Sequence, residues 1–386
     1  MFLSFLFRND KIILEDYSVG NFNIRTFLKQ AVKTGASDVH LHVGERPVLR
    51  KDGKMVKIDM DFLDDEDLER SLITLLPSYD INDIKKNMDL DFSYELPAVS
   101  RFRVNLSRQL GHFALTLRLI SFNIRQVTEL NLPPVIQNFA DLNNGIVLVT
   151  GPTGSGKSTT LASIIEHINV KYPKHIITVE DPIEYMFSNK LSIISQRQVE
   201  IDTSSFNDGI KYALRQDPDV ILIGEIRDRD TANAALKAAE TGHLVLASLH
   251  TNDATQTINR IINMFDPQDR DLIRDQLANT IRGIIAQKLV KVAHGSGRRP
   301  IVEIMISTPT IKDYIIKNKL DEIYDIMRTG SDDMVTMNAS LFKLLQEGVI
   351  SQDYALEASD NKNEFNQMLR GVFRGTENQG NNYYDK

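Results

Sequence analysis

The stretch GIVLVTGPTGSGKSTTLASIIEHIN, residues 145–169, leaves the backbone very little choice. An apolar run is followed by glycines at 151, 154 and 156, then Lys157-Ser158, then a helical pattern. Strand, glycine loop and helix in that order, with the spacing G-x-x-x-x-G-K-[ST], specify a phosphate-binding loop. Glycines let successive N–H groups turn inward around a polyphosphate, and the helix N-terminus adds a partial positive charge. The positions expected to line the nucleotide are Gly151, Pro152, Thr153, Gly154, Ser155, Gly156, Lys157, Ser158 and Thr159. Lys157 is placed to reach the β- and γ-phosphates, Ser158 to hold Mg²⁺, and Thr159 to face the α-phosphate side. A glycine turn that merely precedes a helix accounts poorly for the strand on one side and the helix on the other.

Three further apolar runs, HIITVE, VILIGE and LVLASLH, alternate with helical stretches after this one. Such a series predicts a parallel sheet covered on both faces. In such a sheet the strand ends share an edge with the phosphate loop. Glu180, Asp181 and Glu184 fall at one of these ends and Glu225 at another. Carboxylates there can orient the water bound to Mg²⁺ or the attacking water. Glu180 or Asp181 alone reads equally well as a solvated turn acid. Glu225 does not, because it follows a strand core where an unused charge would be costly.

The same sheet sorts two histidines. In ETGHLVLASLHTND, His243 and His250 bracket a buried strand and lie about 23 Å apart at 3.3 Å per residue. They cannot share one metal. His250 falls on the edge of the phosphate loop and is a candidate γ-phosphate sensor. His243 lies at the opposite end, where a contact with a neighbouring element or subunit and a plain structural role are equally consistent.

Upstream, residues 22–122 read as a small α+β domain with an antiparallel sheet, marked by the Asp52-Gly53 hairpin and a turn near Gln109–His112. In RFRVNLSRQ, strand alternation puts Arg101, Arg103 and Asn105 on one face, and LTLRLI offers Arg118 from a paired strand. A solvated outer face is the plain account of these arginines. The remaining divisions expected are an extension over 1–21, a linker over 123–144 around Pro133-Pro134, a larger α/β domain over 145–372 that turns mostly helical beyond about 300, and a disordered tail over 373–386. Zero cysteines among 386 residues exclude disulfides and cysteine-ligated metals, and fit a reducing cytoplasm. A net charge of −7 and the lack of tryptophan argue against a nucleic-acid translocase with a basic aromatic channel. No run approaches the ~20 apolar residues of a membrane span, and MFLSFLFRND lacks the parts of a signal peptide.

Taken together, ASDVHLHVGERPVLRKDG, GPTGSGKSTT, VEDPIEY, SQRQVEIDTSSF, LRQDPDVILIGEIRD, AETGHLVLASLHTND, QLANTIRGIIAQKLV and MNASLFKLL resemble the secretion-superfamily ATPases, specifically the PilT/PilU-type retraction ATPases of bacterial type IV pili. The resemblance spans roughly residues 22–360. It implies a PAS-like domain before a RecA-like ATPase domain, a homohexameric ring, and ATP with Mg²⁺ as ligands. It also implies a place at the cytoplasmic face of the inner membrane, beside a pilus platform protein and in some cases a paralogous retraction ATPase, with neither nucleic acid nor stable membrane insertion. By matched motif, Glu184 is the catalytic glutamate, Glu225 the Walker B glutamate near Mg²⁺, and His243 with His250 the histidine box. Arg103 and Arg118 become candidate arginines for γ-phosphate charge. The function implied is pilus retraction in twitching motility. Two departures keep an accessory PilU-like role open: the extension at the N-terminus, and Lys312 and Lys317 where similar proteins carry arginines. Pilus-assembly and type II secretion ATPases usually carry a four-cysteine motif that is missing here.

Overall fold

The computed structural model describes residues 7–8, 11–12, 22–51, 53–77, 89–97, 99–120, 122–294, 297–329 and 333–371. The tail expected over 373–386 and most of the extension over 1–21 therefore lie outside the described residues. Within the extension, β1 (Phe7–Arg8) and β2 (Lys11–Ile12) pair antiparallel. The chain forms two compact units, Met1–Phe122 and Asn123–Lys386.

The first unit is a six-stranded antiparallel sheet in the order β5-β4-β3-β8-β7-β6. Its strands are β3 (Asp38–His42), β4 (Val48–Lys51), β5 (Lys54–Lys57), β6 (Leu90–Leu96), β7 (Ser100–Gln109) and β8 (His112–Ile120). The β7–β8 turn places Leu110 and Gly111 at φ 53° and 88°, the left-handed pair a tight hairpin requires. Phe102, Val104, Leu106, Leu115 and Leu117 alternate onto one face and pack with Phe27, Leu28, Leu68 and Leu72 of the helices Ile24–Lys33 and Asp65–Leu75. Full burial of such a side chain contributes roughly 1.5–3 kcal/mol, so this covered face is the unit's main source of stability. The alternate residues stay polar. Arg103 is exposed beside the buried Phe102 and Val104, as period-two alternation requires.

The second unit is built on a seven-stranded sheet in the order β11-β10-β12-β13-β9-β14-β15. The four expected strands are β9 (Gly145–Thr150), β10 (His175–Glu180), β12 (Val220–Ile223) and β13 (Leu244–Leu249). They pair in parallel, and β9, β12 and β13 are buried along their whole length. Three strands come in addition. β11 (Ile193–Gln198) continues the parallel run at one side, and β14 (Ile281–Lys291) pairs parallel with β9. β15 (Arg298–Ile306) is antiparallel and forms the far edge, after which the chain is mostly helical.

One expected division does not hold. The stretch 123–144, read as a linker, packs into the second unit: Val127, Leu132, Ile136, Phe139 and Ala140 are buried against β9 and the helix Lys157–Lys171. Pro134 stands at the start of the short helix Val135–Asn138, where a missing N–H costs nothing. The proline pair thus begins structure instead of ending it. No helix among the described residues is long and apolar enough to cross a membrane.

Candidate active site

The site is assembled by strand register. Leu249 of β13 stands opposite Thr150 of β9, so His250 leaves its strand beside Gly151. Ile223 of β12 stands opposite Val179 of β10, which brings Glu180 next to Gly224 and Glu225. Five parallel strands therefore release their chain at one edge, and the phosphate loop with most of the expected acids gathers there.

The loop is shaped for close backbone approach. Gly151 has φ 141°, and a Cβ there would sit 2.2 Å from the Gln287 carbonyl oxygen. Gly156, at φ 93°, begins the helix Lys157–Lys171, and its Cβ would meet Gln287 Nε2 at 2.8 Å. Only glycine fits either position. Gln287, buried on β14, donates from Nε2 to Ser155 O at 2.8 Å and accepts from Thr160 Oγ1 at 2.7 Å, so one amide ties the loop to the first turn of the helix that follows it.

Lys157 Nζ donates to Gly151 O at 2.9 Å and Pro152 O at 3.1 Å. Burial lowers its pKa, and the negative charges of Glu225 and Glu184 pull the other way. His250 bridges the loop and the acids. Its Nε2 lies 3.0 Å from Glu225 Oε1 and its Nδ1 3.5 Å from Lys157 Nζ. Glu225 Oε2 in turn accepts from Arg227 Nε at 2.8 Å, and Arg227 reaches Asp181 at 3.6 Å. The expected semi-buried charge at Glu225 is thus fully engaged.

Glu180 behaves differently from its neighbours. Its carboxyl is buried, and burial raises its pKa to about 7 against the lowering effect of hydrogen bonds from Thr178, Gln196 and the Glu184 N–H. Glu184 is exposed, close enough in charge to act on both Lys157 and Glu180.

The structure does not bring His243 to this edge. It precedes β13 at the opposite end of the sheet, where Nδ1 approaches Ala238 O at 2.9 Å and Thr241 Oγ1 at 3.1 Å. Arg103 and Arg118 belong to the first unit, directly opposite one another on β7 and β8. Arg118 Nε donates to Asp38 at 2.9 Å, whereas Arg103 forms no ion pair among the described residues.

This edge also fits the ligand set that a phosphate loop takes. Thr150 Oγ1 and Ser155 Oγ are buried without partners among the described residues, two donors beside the loop. No cluster of three His, Cys, Asp or Glu able to hold a metal occurs among the described residues.

The description "Type II/IV secretion system protein" matches residues 15–360. The chain belongs to this family. Among its members, the type IV pilus retraction ATPase PilT of Pseudomonas aeruginosa is 38% identical over 336 residues, 87% of this chain and 97% of that one. The type IV pilus ATPase PilU of the same organism is 35% identical over 344 residues, 89% and 90% of the two chains. The fold of this type II/IV secretion system protein matches the crystal structure of the pilus retraction motor PilT with bound ADP at a TM-score of 0.83 and 41% identity, covering 90% of this chain and 100% of the other. The RecA-like sheet and the smaller PAS-like unit before it are therefore the family's architecture.

Four residues around the site are not among those assigned from the sequence: Gln287, Arg227, Gln196 and Tyr185, whose hydroxyl lies 2.7 Å from Thr159 Oγ1. A polar residue inside an apolar strand, as Gln287 is in GIIAQKLV, is the pattern that could have disclosed the first. The others depend on chain crossings that only the fold creates.

Proposed function

We propose that this protein is an ATP-hydrolysing motor that powers retraction and disassembly of type IV pili in twitching motility. It works as a homohexameric ring at the cytoplasmic face of the inner membrane, against a platform protein of the pilus machine. The observation that carries this reading is the convergence of Lys157, Glu225 and His250 at the phosphate loop, in a chain that resembles a retraction motor over nearly its whole length.

In this reading Lys157 exchanges the loop carbonyls for β- and γ-phosphate oxygens. Ser158 and Glu225 hold Mg²⁺, which neutralises phosphate charge when bound. Glu184 orients the attacking water. The water oxygen bonds to the γ-phosphorus, the β–γ bridging oxygen leaves with the bonding electrons, and the water proton passes to the Glu184 carboxylate. His250 senses the γ-phosphate while Glu225 holds its Nε2. Arg103 or Arg118 offers positive charge to the phosphates of a neighbouring subunit.

The test joins chemistry to cells. The purified chain should turn over ATP, and deleting its gene should leave hyperpiliated cells whose pili do not retract. Normal retraction after deletion, or cells without pili, would sink the reading. Lys312 and Lys317 favour one second reading, an accessory PilU-like ATPase. In that case deletion leaves retraction under way as long as a paralogous motor is present.

A further inference from the structure

Glu184 is exposed, and its carboxylate forms no hydrogen bond among the described residues. Its place is therefore set by the backbone on either side. On one side Ile183 is 2% exposed, and the N–H of Glu184 itself reaches the Glu180 carboxyl. On the other side Gln196 of β11 holds the loop as a neighbouring peptide group would. Its Nε2 donates to Tyr185 O at 2.8 Å, and its Oε1 accepts from Phe187 N at 3.0 Å. The Tyr185 ring then crosses to the phosphate-loop helix, where its hydroxyl lies 2.7 Å from Thr159 Oγ1.

We propose that Tyr185 is a positioning residue, whose hydroxyl bridge to Thr159 fixes the Glu184 carboxylate relative to the phosphate loop. The proposal rests on the reading of Glu184 as the group that orients water. Such a group must come within hydrogen-bond reach of the proton it takes, and a shift of about 1 Å can cost on the order of 100-fold. Loops hold such tolerances poorly unless something pins them. Thr159 directly follows Ser158, so the bridge refers the base to the same helical turn that sets the phosphates and Mg²⁺. The phenol is a stiff spacer with few torsions. Its loss should leave the nucleotide's own contacts intact and loosen only the base.

The full chain is compared with Tyr185→Phe, Thr159→Val, the double variant and Glu184→Gln, measuring kcat and KM for ATP, affinity for a fluorescent ADP, and thermal midpoint. Tyr185→Phe should lower kcat about tenfold, equivalent to about 1.4 kcal/mol. Its ADP affinity should stay within about twofold, the signature of an interaction that matters in the transition state. The double variant should be no slower than Thr159→Val alone, because both ends serve one bond. Wild-type kcat in Tyr185→Phe beside an inactive Glu184→Gln overturns the bridge and leaves the base in place. Additive losses, or a fall in ADP affinity equal to the fall in turnover, overturn it as well. Wild-type turnover in Glu184→Gln removes the base and this proposal together. If Tyr185→Phe does not fold, Thr159→Val breaks the same bond from the other end, and full kcat there is equally decisive against it.

Discussion

Lys157 shows how much one side chain can be asked to do. It is buried among loop carbonyls, its pKa is lowered by desolvation, and the charges of Glu225 and Glu184 oppose that shift. Lys157→Ala should abolish ATP hydrolysis in a folded, assembled protein, since it removes the charge that meets the β- and γ-phosphates. Near-normal turnover would refute the phosphate-loop assignment. Glu184→Gln and Glu225→Gln keep shape and lose charge, so each should bind nucleotide while kcat falls. Equilibrium binding beside steady-state rates separates the two effects. The loop glycines and the acids at the strand ends were legible from residue type and spacing. Whether Glu180 differed from Glu184 was not, because four positions of sequence separation say nothing about which carboxyl is buried.

At the scale of elements, the buried Glu303 of β15 ties two helices together. Its Oε1 accepts from the N–H of Ala254 at 2.9 Å, and the carboxyl also accepts from Met337 N–H. These are the first residues of the helices Ala254–Asn263 and Met337–Gln346, so one side chain satisfies orphan donors at both N-termini. Glu303→Ala leaves those donors buried and opens a cavity; it should cost about 2–5 kcal/mol in denaturant unfolding. Burial raises the Glu303 pKa to about 7, as it does for Glu180. The native chain therefore holds protons between about pH 4.5 and 7 that the unfolded chain releases, and these two groups make stability fall as pH rises through that window. Glu303→Gln should flatten that slope when unfolding midpoints are followed from pH 5 to 7; an unchanged slope would rule out its titration there. The parallel strands β9, β10, β12 and β13 were legible because burial on both faces forces near-continuous apolar runs. β11 was hidden for the converse reason. It is an edge strand with Ser195, Gln196, Arg197 and Gln198 in its six residues, and Ile193 is exposed. β14 was obscured by Gln287, whose burial makes sense only beside Ser155 and Thr160.

For the whole molecule, the arginine row of the first unit should matter only when subunits work together. Arg103→Ala should lower kcat at least about tenfold, about 1.4 kcal/mol, while the ring still assembles. Mixing Arg103→Ala chains with Lys157→Ala chains should restore some turnover if the arginine serves a neighbour's phosphates. Full activity in Arg103→Ala rings would return the residue to a solvated face and make Arg118 the one to change. That row has a further consequence for the folding landscape. Asp38 already serves both Arg118 and Arg50, at 2.9 and 3.8 Å, so Arg103 faces Arg118 across the sheet without an ion pair of its own among the described residues. Like charges directly opposite oppose strand pairing. This is local frustration, of the kind natural sequences tolerate where a site needs it. Relieving it with Arg103→Thr, which suits a strand, should raise the melting temperature of the same protein whose turnover it lowers. A polyanion that settles on the row should do likewise without mutation, because whatever binds only the native sheet draws the equilibrium toward it.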